Sequence, residues 1–503
     1  MISFTRTLPA ILLLIGFAFL ISFRGLNEPD EGRYLEIARE MLTSGDFLVP
    51  RLKGVPHYAK PPMTYWAIAT SMSVFGVNEF GARLPGLLAA LLVVLVLRDL
   101  LIRMNGRQED RLLLVLFLAS TFEFFALSNI VTTDMLLCAT IVVAMWARWN
   151  ALNESANQGR WRVIFWLALG LGFLIKGPII AMVVFLGLLA AAILERSTRV
   201  LTGLGLFWGL PLALSIAAPW FWLVIDQQQG LSEFFFGDEV LGRVQSGRGR
   251  SKPFYYFMIV LPIVLLPWTW NIWHAGRRLV AERHEAALFL SGWILGPFLV
   301  FSLSASKLWT YMLPLIPPAV LILALGHRAE GRKKKAYVIA AISMMVLLVS
   351  LIFIGDHNSM KLGNNNGYRH FLHSIPSMEL RGQDVSSVAN LKTSEVKFSD
   401  RQGAKIATYR FRCLQASFYL LGDSPEFVPI YGNKSLWEWE DMQSRDTPGT
   451  LADLLAELQL PEEFVVLTKM KYVSEIEAAL GRQLRVLADS GQGSGRVVAL
   501  SNQ

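Results

Sequence analysis

Charged side chains are scarce in this chain. Asp, Glu, Lys and Arg make up 17% of its 503 residues, against about 25% in a soluble globular protein. Hydrophobic residues reach 53%. That balance excludes an ordinary water-soluble enzyme of this length. Cysteine is nearly absent: Cys138 lies inside an apolar run and Cys413 in a polar region. Two cysteines in such different settings supply neither a disulfide framework nor a thiolate metal site. There is also no single extended basic patch. The formal charge is +8, but the basic residues fall in short clusters between apolar runs, which argues against nucleic acid as a partner. The apolar run 8–23 follows Arg6 but lacks a small-x-small cleavage pattern, since Arg24-Gly25-Leu26-Asn27-Glu28 come next. It is expected to stay as a first helix.

What is present is a series of apolar runs near the length of a membrane span. Each can cross the hydrocarbon core as a helix whose backbone hydrogen bonds are made internally. The candidates are 8–23, 83–102, 111–128, 135–150, 161–176, 178–194, 201–225, 254–273, 286–303, 308–325 and 336–354, about eleven helices. Basic residues test that count, because cytoplasmic loops carry the excess of Lys and Arg. Alternate loops hold Arg98, Arg103, Arg107 and Arg111; Arg148, Arg160 and Arg162; Arg196 and Arg199; Arg277, Arg278 and Arg283; and Arg328 with Arg332 through Lys335. All fall on one side when the N-terminus is cytoplasmic, and an odd count then puts the C-terminus outside. The chain so divides into a membrane domain, 1–355, with outer loops 24–82 and 226–253, and a soluble periplasmic domain, 356–503. Within the first loop, 31–42 and 63–76 read as helices lying near the membrane surface. In the last domain, 464–467 and 484–487 read as strands and 472–480 as a helix, a small α/β arrangement.

Polar residues on the outer side carry the functional information. The first loop reads Glu28-Pro29-Asp30-Glu31-Gly32-Arg33-Tyr34. Asp30 suits a helix cap, and acidic side chains suit a first helical turn; one residue can both cap and react. Asp134 follows Thr132-Thr133 at the mouth of a span, where a carboxylate either caps or faces a cavity. His57-Tyr58-Ala59-Lys60-Pro61-Pro62 holds a cation on stiff backbone, because proline restricts the residue before it. Lys60 is then a phosphate clamp or a lysine snorkelling to the headgroups.

Taken together these residues resemble a known family. Asp30 through Tyr34, Glu36 through Met41, Gly45-Asp46, Pro50-Arg51, Tyr58 through Pro62 and Tyr65-Trp66 are similar to the first outer loop of the bacterial aminoarabinose transferases. Those are membrane glycosyltransferases of GT-C fold, together with the protein O-mannosyltransferases. Thr132-Thr133-Asp134, Leu174 through Pro178, Leu266-Pro267-Trp268, Ser306-Lys307 and Tyr311 through Pro314 follow in the same order. The resemblance covers about residues 1–330. It implies an all-α polytopic GT-C domain, a polyprenyl-phosphate-linked sugar donor, and inverting transfer to a lipid, glycan or protein acceptor. Asp30 would be the catalytic first-loop carboxylate, with Asp134 and Glu31 as further acidic candidates. Lys60 and Arg33 would hold donor phosphate, with Tyr58, Tyr311 and Arg243 as further candidates. Membrane lipids are the other expected partners.

Two positions depart from the pattern. Ala59 stands where the family has Glu before Lys-Pro-Pro, and Val240 follows Glu239 where the aminoarabinose branch has His. Both losses fall on residues that relatives associate with a metal, so no cofactor is expected. His57 is the candidate substitute if a divalent ion binds. The resemblance therefore does not carry over the sugar or the acceptor. A lipid or sugar transporter of the envelope is the competing class. It needs charged or broken helices near mid-membrane, and these runs are largely free of charge. The alternating loops predict that a reporter fused after Gly355 is active only if it works outside the cytoplasm. Activity of a cytoplasm-only reporter there would overturn the topology.

Overall fold

The computed structural model describes residues 30–52, 54–228, 230–233, 235, 252–327, 331–362, 405–409, 430–431, 464–469, 473–480, 483–489 and 497–501. The expected first span 8–23 and nearly all of the second outer loop, Arg243 included, lie outside them. In chain order, helix α1 (Asp30–Ser44) leads to hairpin strands β1 (Arg51–Leu52) and β2 (Val55–Pro56). Then come α2 (Met63–Phe75), α3 (Glu79–Arg103), α4 (Arg111–Ala119), α5 (Phe122–Ser128), α6 (Asp134–Asn153), α7 (Gln158–Lys176), α8 (Ile179–Glu195) and α9 (Leu206–Gln227). After these follow α10 (Tyr256–Val264), α11 (Thr269–Ala281), α12 (Ala287–Leu303), a 3-10 turn (Trp309–Leu315), α13 (Ile316–Gly326) and α14 (Gly331–Leu362). The described residues form two compact units, one holding 60–64 and 83–349, the other holding 30–59, 65–82 and those from 350 onward.

The first unit is a helical bundle. Five of its helical stretches are long and apolar enough to cross a membrane, and seven if each of two bent pairs counts as one span. Helix α8 packs along α12, and α7 packs on both α6 and α9. Glycine sets the closeness of the first pair. A Cβ on Gly292 would stand 2.3 Å from the Ala191 nitrogen, and one on Gly296 would stand 2.1 Å from the Leu186 carbonyl oxygen. Small residues allow this approach where lipid offers no hydrophobic drive for helices to associate.

Two expected straight spans are broken. The run 111–128 bends by 75° between α4 and α5, and 254–273 bends by 97° between α10 and α11. Polar and proline residues at the breaks explain why hydropathy alone missed them. Ser120 and Thr121 donate their hydroxyls back to the carbonyls of Leu116 (2.5 Å) and Phe117 (2.7 Å). Back-bonding of this kind bends helices. Pro267 lacks a donor and cannot continue a helix. The two breaks then satisfy each other: Trp268 Nε1 donates to Ser120 Oγ at 2.9 Å, and the Phe122 amide donates to the Leu266 carbonyl at 3.2 Å.

The basic loops gather at one end of this unit. Arg103 pairs with Asp99 (2.5 Å) and Glu154 (3.1 Å). Arg148, 2% exposed, donates to the carbonyls of Val200, Arg199 and Thr202. Asp110, 1% exposed, receives Arg107 at 2.6 Å, Lys334 at 3.0 Å and His327 at 3.2 Å. Phe117 and Tyr337 pack edge-on against the His327 ring.

In the second unit, α1 and α2 lie where helices were expected. Helix α1 is buried within the protein over most of its length, Glu31 through Met41 with Arg33 alone half-buried. Strands β3 (Lys405–Tyr409), β4 (Ile430–Tyr431), β5 (Phe464–Lys469), β6 (Arg485–Asp489) and β7 (Val497–Ser501) form a mixed sheet in the order β4-β3-β5-β7-β6. Its first two pairings are parallel and the others antiparallel. Helix α15 (Val473–Leu480) accompanies it, with Val466, Leu467, Ile476 and Leu500 buried.

Burial holds the His327 imidazole below its ordinary range, against the opposing pull of Asp110. The depressed value means the folded protein resists a proton that the unfolded chain accepts. Stability is present above about pH 6.5 and falls as pH drops below it. The melting temperature should therefore decline between pH 7 and pH 5, and His327→Gln should flatten that decline. Equal slopes in both proteins would remove His327 as the cause.

Candidate functional site

The sequence-predicted residues fall in both units, and each group has its own geometry. In the second unit, α1 begins at Asp30, which therefore occupies the first helical turn. Its carboxylate takes the Arg33 guanidinium at 2.7 Å while remaining 58% exposed. Arg33 also lies 5.3 Å from the Tyr34 ring centre, and Tyr34 packs on Tyr65 at 5.7 Å. Glu31 is fully buried. One turn on, Arg39 and Glu36 form a two-pronged pair at 3.0 and 3.1 Å, both side chains 0% exposed. Such a pair is costly to break from one side, about 3–5 kcal/mol. Glu40 accepts the Gly54 amide at 2.9 Å, tying α1 to the hairpin. Gly45, at φ +72°, ends the helix in a left-handed turn.

The carboxylate of Asp46 then shapes the loop by accepting the amides of Leu48 and Val49. Trp66 Nε1 fastens it by donating to the Phe47 carbonyl at 2.7 Å. Tyr58 is buried, and burial pushes its phenol up to about 12, with Arg51 opposing and Asp46 reinforcing. It stays a neutral hydrogen-bond donor across the working pH range. His57 is buried as well. Among the described residues, no three His, Cys, Asp or Glu side chains come together to hold a metal.

In the first unit, a second charged group sits at the end opposite the basic loops. Asp134 opens α6 and Lys176 closes α7. Their side chains meet at 2.5 Å, 12% and 13% exposed. The Lys176 ammonium lies 5.3 Å from the centre of the Tyr311 ring, close enough for a cation–π contact. Tyr311 stands on the 3-10 turn and stacks on Phe301 at 5.6 Å. The Lys60–Thr64 turn belongs to this unit. Lys307 is engaged by the carbonyls of Ser304 and Lys252.

The structure thus brings Asp30 to Arg33, and Asp134 to Lys176 and Tyr311. Arg243 lies outside the described residues. Sequence reasoning missed Lys176 as a site residue, although it lies in the stretch Leu174 through Pro178 that follows the family pattern. It also missed Glu123, fully buried on α5; the available signal was a lone carboxylate inside the apolar run 111–128.

The comparisons with known proteins agree with this architecture. Residues 59–223 match the family model described as dolichyl-phosphate-mannose-protein mannosyltransferase. The chain superposes on the crystal structure of ArnT from Cupriavidus metallidurans bound to undecaprenyl phosphate with a TM-score of 0.81. That match covers 100% of this chain and 98% of the other at 19% identity. The fold is therefore that of a GT-C membrane protein. In sequence, the chain is 33% identical over 339 residues to an undecaprenyl phosphate-alpha-4-amino-4-deoxy-L-arabinose arabinosyl transferase of Pseudomonas paraeruginosa, covering 66% of this chain and 61% of that protein. A protein of the same name from Edwardsiella ictaluri is 30% identical over 335 residues, covering 65% of this chain and 60% of its own length. The matches thus span about three-fifths of these curated relatives. In sequence the chain is thus similar to the aminoarabinose transferases, and in fold it is similar to ArnT.

A partly buried ion pair leaves a charge stranded when one partner is removed. Asp134→Asn or Lys176→Met alone should cost about 3 kcal/mol of stability in detergent. The double variant should lose less than the sum. Strict additivity in denaturant unfolding would mean the pair contributes no coupling.

Proposed function

We propose that this protein is an inverting glycosyltransferase that moves a sugar from a polyprenyl-phosphate donor to an extracytoplasmic acceptor. The observation that carries the proposal is the identity of 33% to a named arabinosyl transferase over 66% of this chain, with the first-loop residues in the same order. In this reading it is an inner-membrane protein of about eleven spans, with its N-terminus in the cytoplasm. The end bearing Asp134, Lys176 and Tyr311 faces outward, as does the C-terminal α/β domain of residues 356–503.

The chemistry follows from charge. An acceptor oxygen forms a bond to the anomeric carbon while the bond from that carbon to the phosphate oxygen breaks. The polyprenyl phosphate leaves with the electron pair. Lys60, Arg33 and Arg243 are the candidate cations for neutralising the charge developing on it, with Tyr58 and Tyr311 as further phosphate-binding candidates. Asp30, exposed enough to meet a substrate, takes the proton of a hydroxyl acceptor. Glu31 and Asp134 are supporting acids. An acceptor that is already anionic needs positioning more than deprotonation. A transporter is not favoured: the sequence relatives are named arabinosyl transferases, and the broken helices pair with each other at their breaks.

The test is sugar transfer by purified protein from an undecaprenyl-phosphate donor, scanned across aminopentoses and hexoses. Lys60→Ala should weaken or abolish transfer without lowering the melting temperature. Asp30→Asn should cut turnover by roughly 10²–10⁴ with stability unchanged. Near-normal turnover in Asp30→Asn would move the chemistry to Glu31 or Asp134.

A further inference from the structure

Lys307 is a buried cation that the proposed mechanism does not use. It lies between α12 and the 3-10 turn and is 3% exposed. Its ammonium donates to two backbone carbonyls, that of Ser304 and that of Lys252, the latter at 3.2 Å. Ser304 caps the end of α12. Lys252 stands just ahead of α10, and 55 residues separate it from Lys307. Burying an ammonium costs free energy unless its donors are met. A methionine would fill the same space without that cost. The lysine therefore does what apolar packing cannot: it holds one stretch of backbone against another.

Both stretches lead to candidate phosphate groups. From Lys307 the chain enters the 3-10 turn that carries Tyr311. The Tyr311 amide donates to the Leu308 carbonyl at 3.1 Å, so Tyr311 follows Lys307 on bonded backbone. Its ring stacks on Phe301 in the last turn of α12 and meets the Lys176 ammonium. On the other side, Lys252 closes the second outer loop, nine residues after Arg243 in the sequence. Helix α10, which begins directly afterwards, packs on the same 3-10 turn.

We propose that Lys307 is a positioning residue for the donor phosphate. Its ammonium clasps the segment that closes the second outer loop to the turn bearing Tyr311. Groups fixed in advance need no rearrangement when charge develops on a leaving phosphate. The consequence for phosphate rests on the donor reading above; the clasp does not.

The experiment has two arms, both on the full-length protein in detergent. The first is hydrogen exchange without ligand. Lys307→Met removes both bonds and should speed amide exchange in α10 and the 3-10 turn on the order of tenfold, leaving α6 and α7 unchanged. Lys307→Arg keeps donors for both carbonyls and should stay within about threefold of wild type. The second arm measures binding of undecaprenyl phosphate together with melting temperature. Lys307→Met should bind about tenfold more weakly, because binding must then order the groups itself. Its melting temperature should not fall, since an apolar side chain in place of a buried ion is neutral or stabilising. Lys307→Arg should recover most of the affinity. If the methionine variant does not fold, Lys307→Gln replaces it; its shorter amide should give the same losses at smaller size.

Unchanged exchange in α10 and the turn, or faster exchange spread evenly over the bundle, would overturn the clasp. Normal affinity in Lys307→Met, a lowered melting temperature that accounts for the lost binding, or equal losses with methionine and arginine would overturn the positioning role. If wild type fails to bind undecaprenyl phosphate, the donor reading fails. The exchange arm then decides the clasp by itself.

Discussion

Polar groups inside an apolar surround must find their partners within the protein. That one constraint accounts for most of what is ordered here. A lipid-facing backbone has no water to fall back on, so a broken helix survives only where something else takes over its hydrogen bonds. The two bent helix pairs do this for each other, through Trp268 with Ser120 and Phe122 with Leu266. The same rule operates on side chains. Arg148 spends its donors on three carbonyls of the neighbouring turn, and Asp110 gathers Arg107, Lys334 and the His327 ring from three segments.

The charges that remain divide by end. At the basic end several serve architecture: Arg103, Arg148, Arg199, Arg278 and Lys334 each reach an acid or a carbonyl of another element. At the other end one ion pair, Asp134 with Lys176, lies against the Tyr311 ring. The first-loop helix adds a pair that is wholly internal, Glu36 with Arg39, next to one that opens to solvent, Asp30 with Arg33. The internal pair fixes the helix in place, and the open pair presents a carboxylate and a guanidinium that a substrate can reach.

How much of this was legible in the sequence varies by the kind of signal. Helix positions followed from hydropathy because apolar runs are long and repeated; α3, α6, α9 and α13 lie close to their expected bounds. The breaks did not follow, since Ser120, Thr121 and Pro267 barely alter a hydropathy average while deciding the local backbone. The helix over 31–42 was legible from periodicity, but its burial was not. Glu36 and Arg39 pair within the helix, but only the tertiary fold buries them, and only the fold brings the Gly54 amide to Glu40. Asp30 and Asp134 were legible as acids at boundaries. The Asp134–Lys176 pair was not, because 42 residues separate the partners. Glu123 was hidden by its neighbours: a lone acid among phenylalanines does not disturb the apolar average.

The meeting of the two breaks has a mechanical side. Each bent pair is two short rods, and the bonds through Ser120 and Leu266 clamp both corners together. The four rods thus behave as a linkage with a single shared joint. Straightening either corner strips hydrogen bonds from both, so small independent flexing is suppressed and only concerted movement is cheap. A load applied to α10 is delivered to α5, and so to the segment that leads into Asp134.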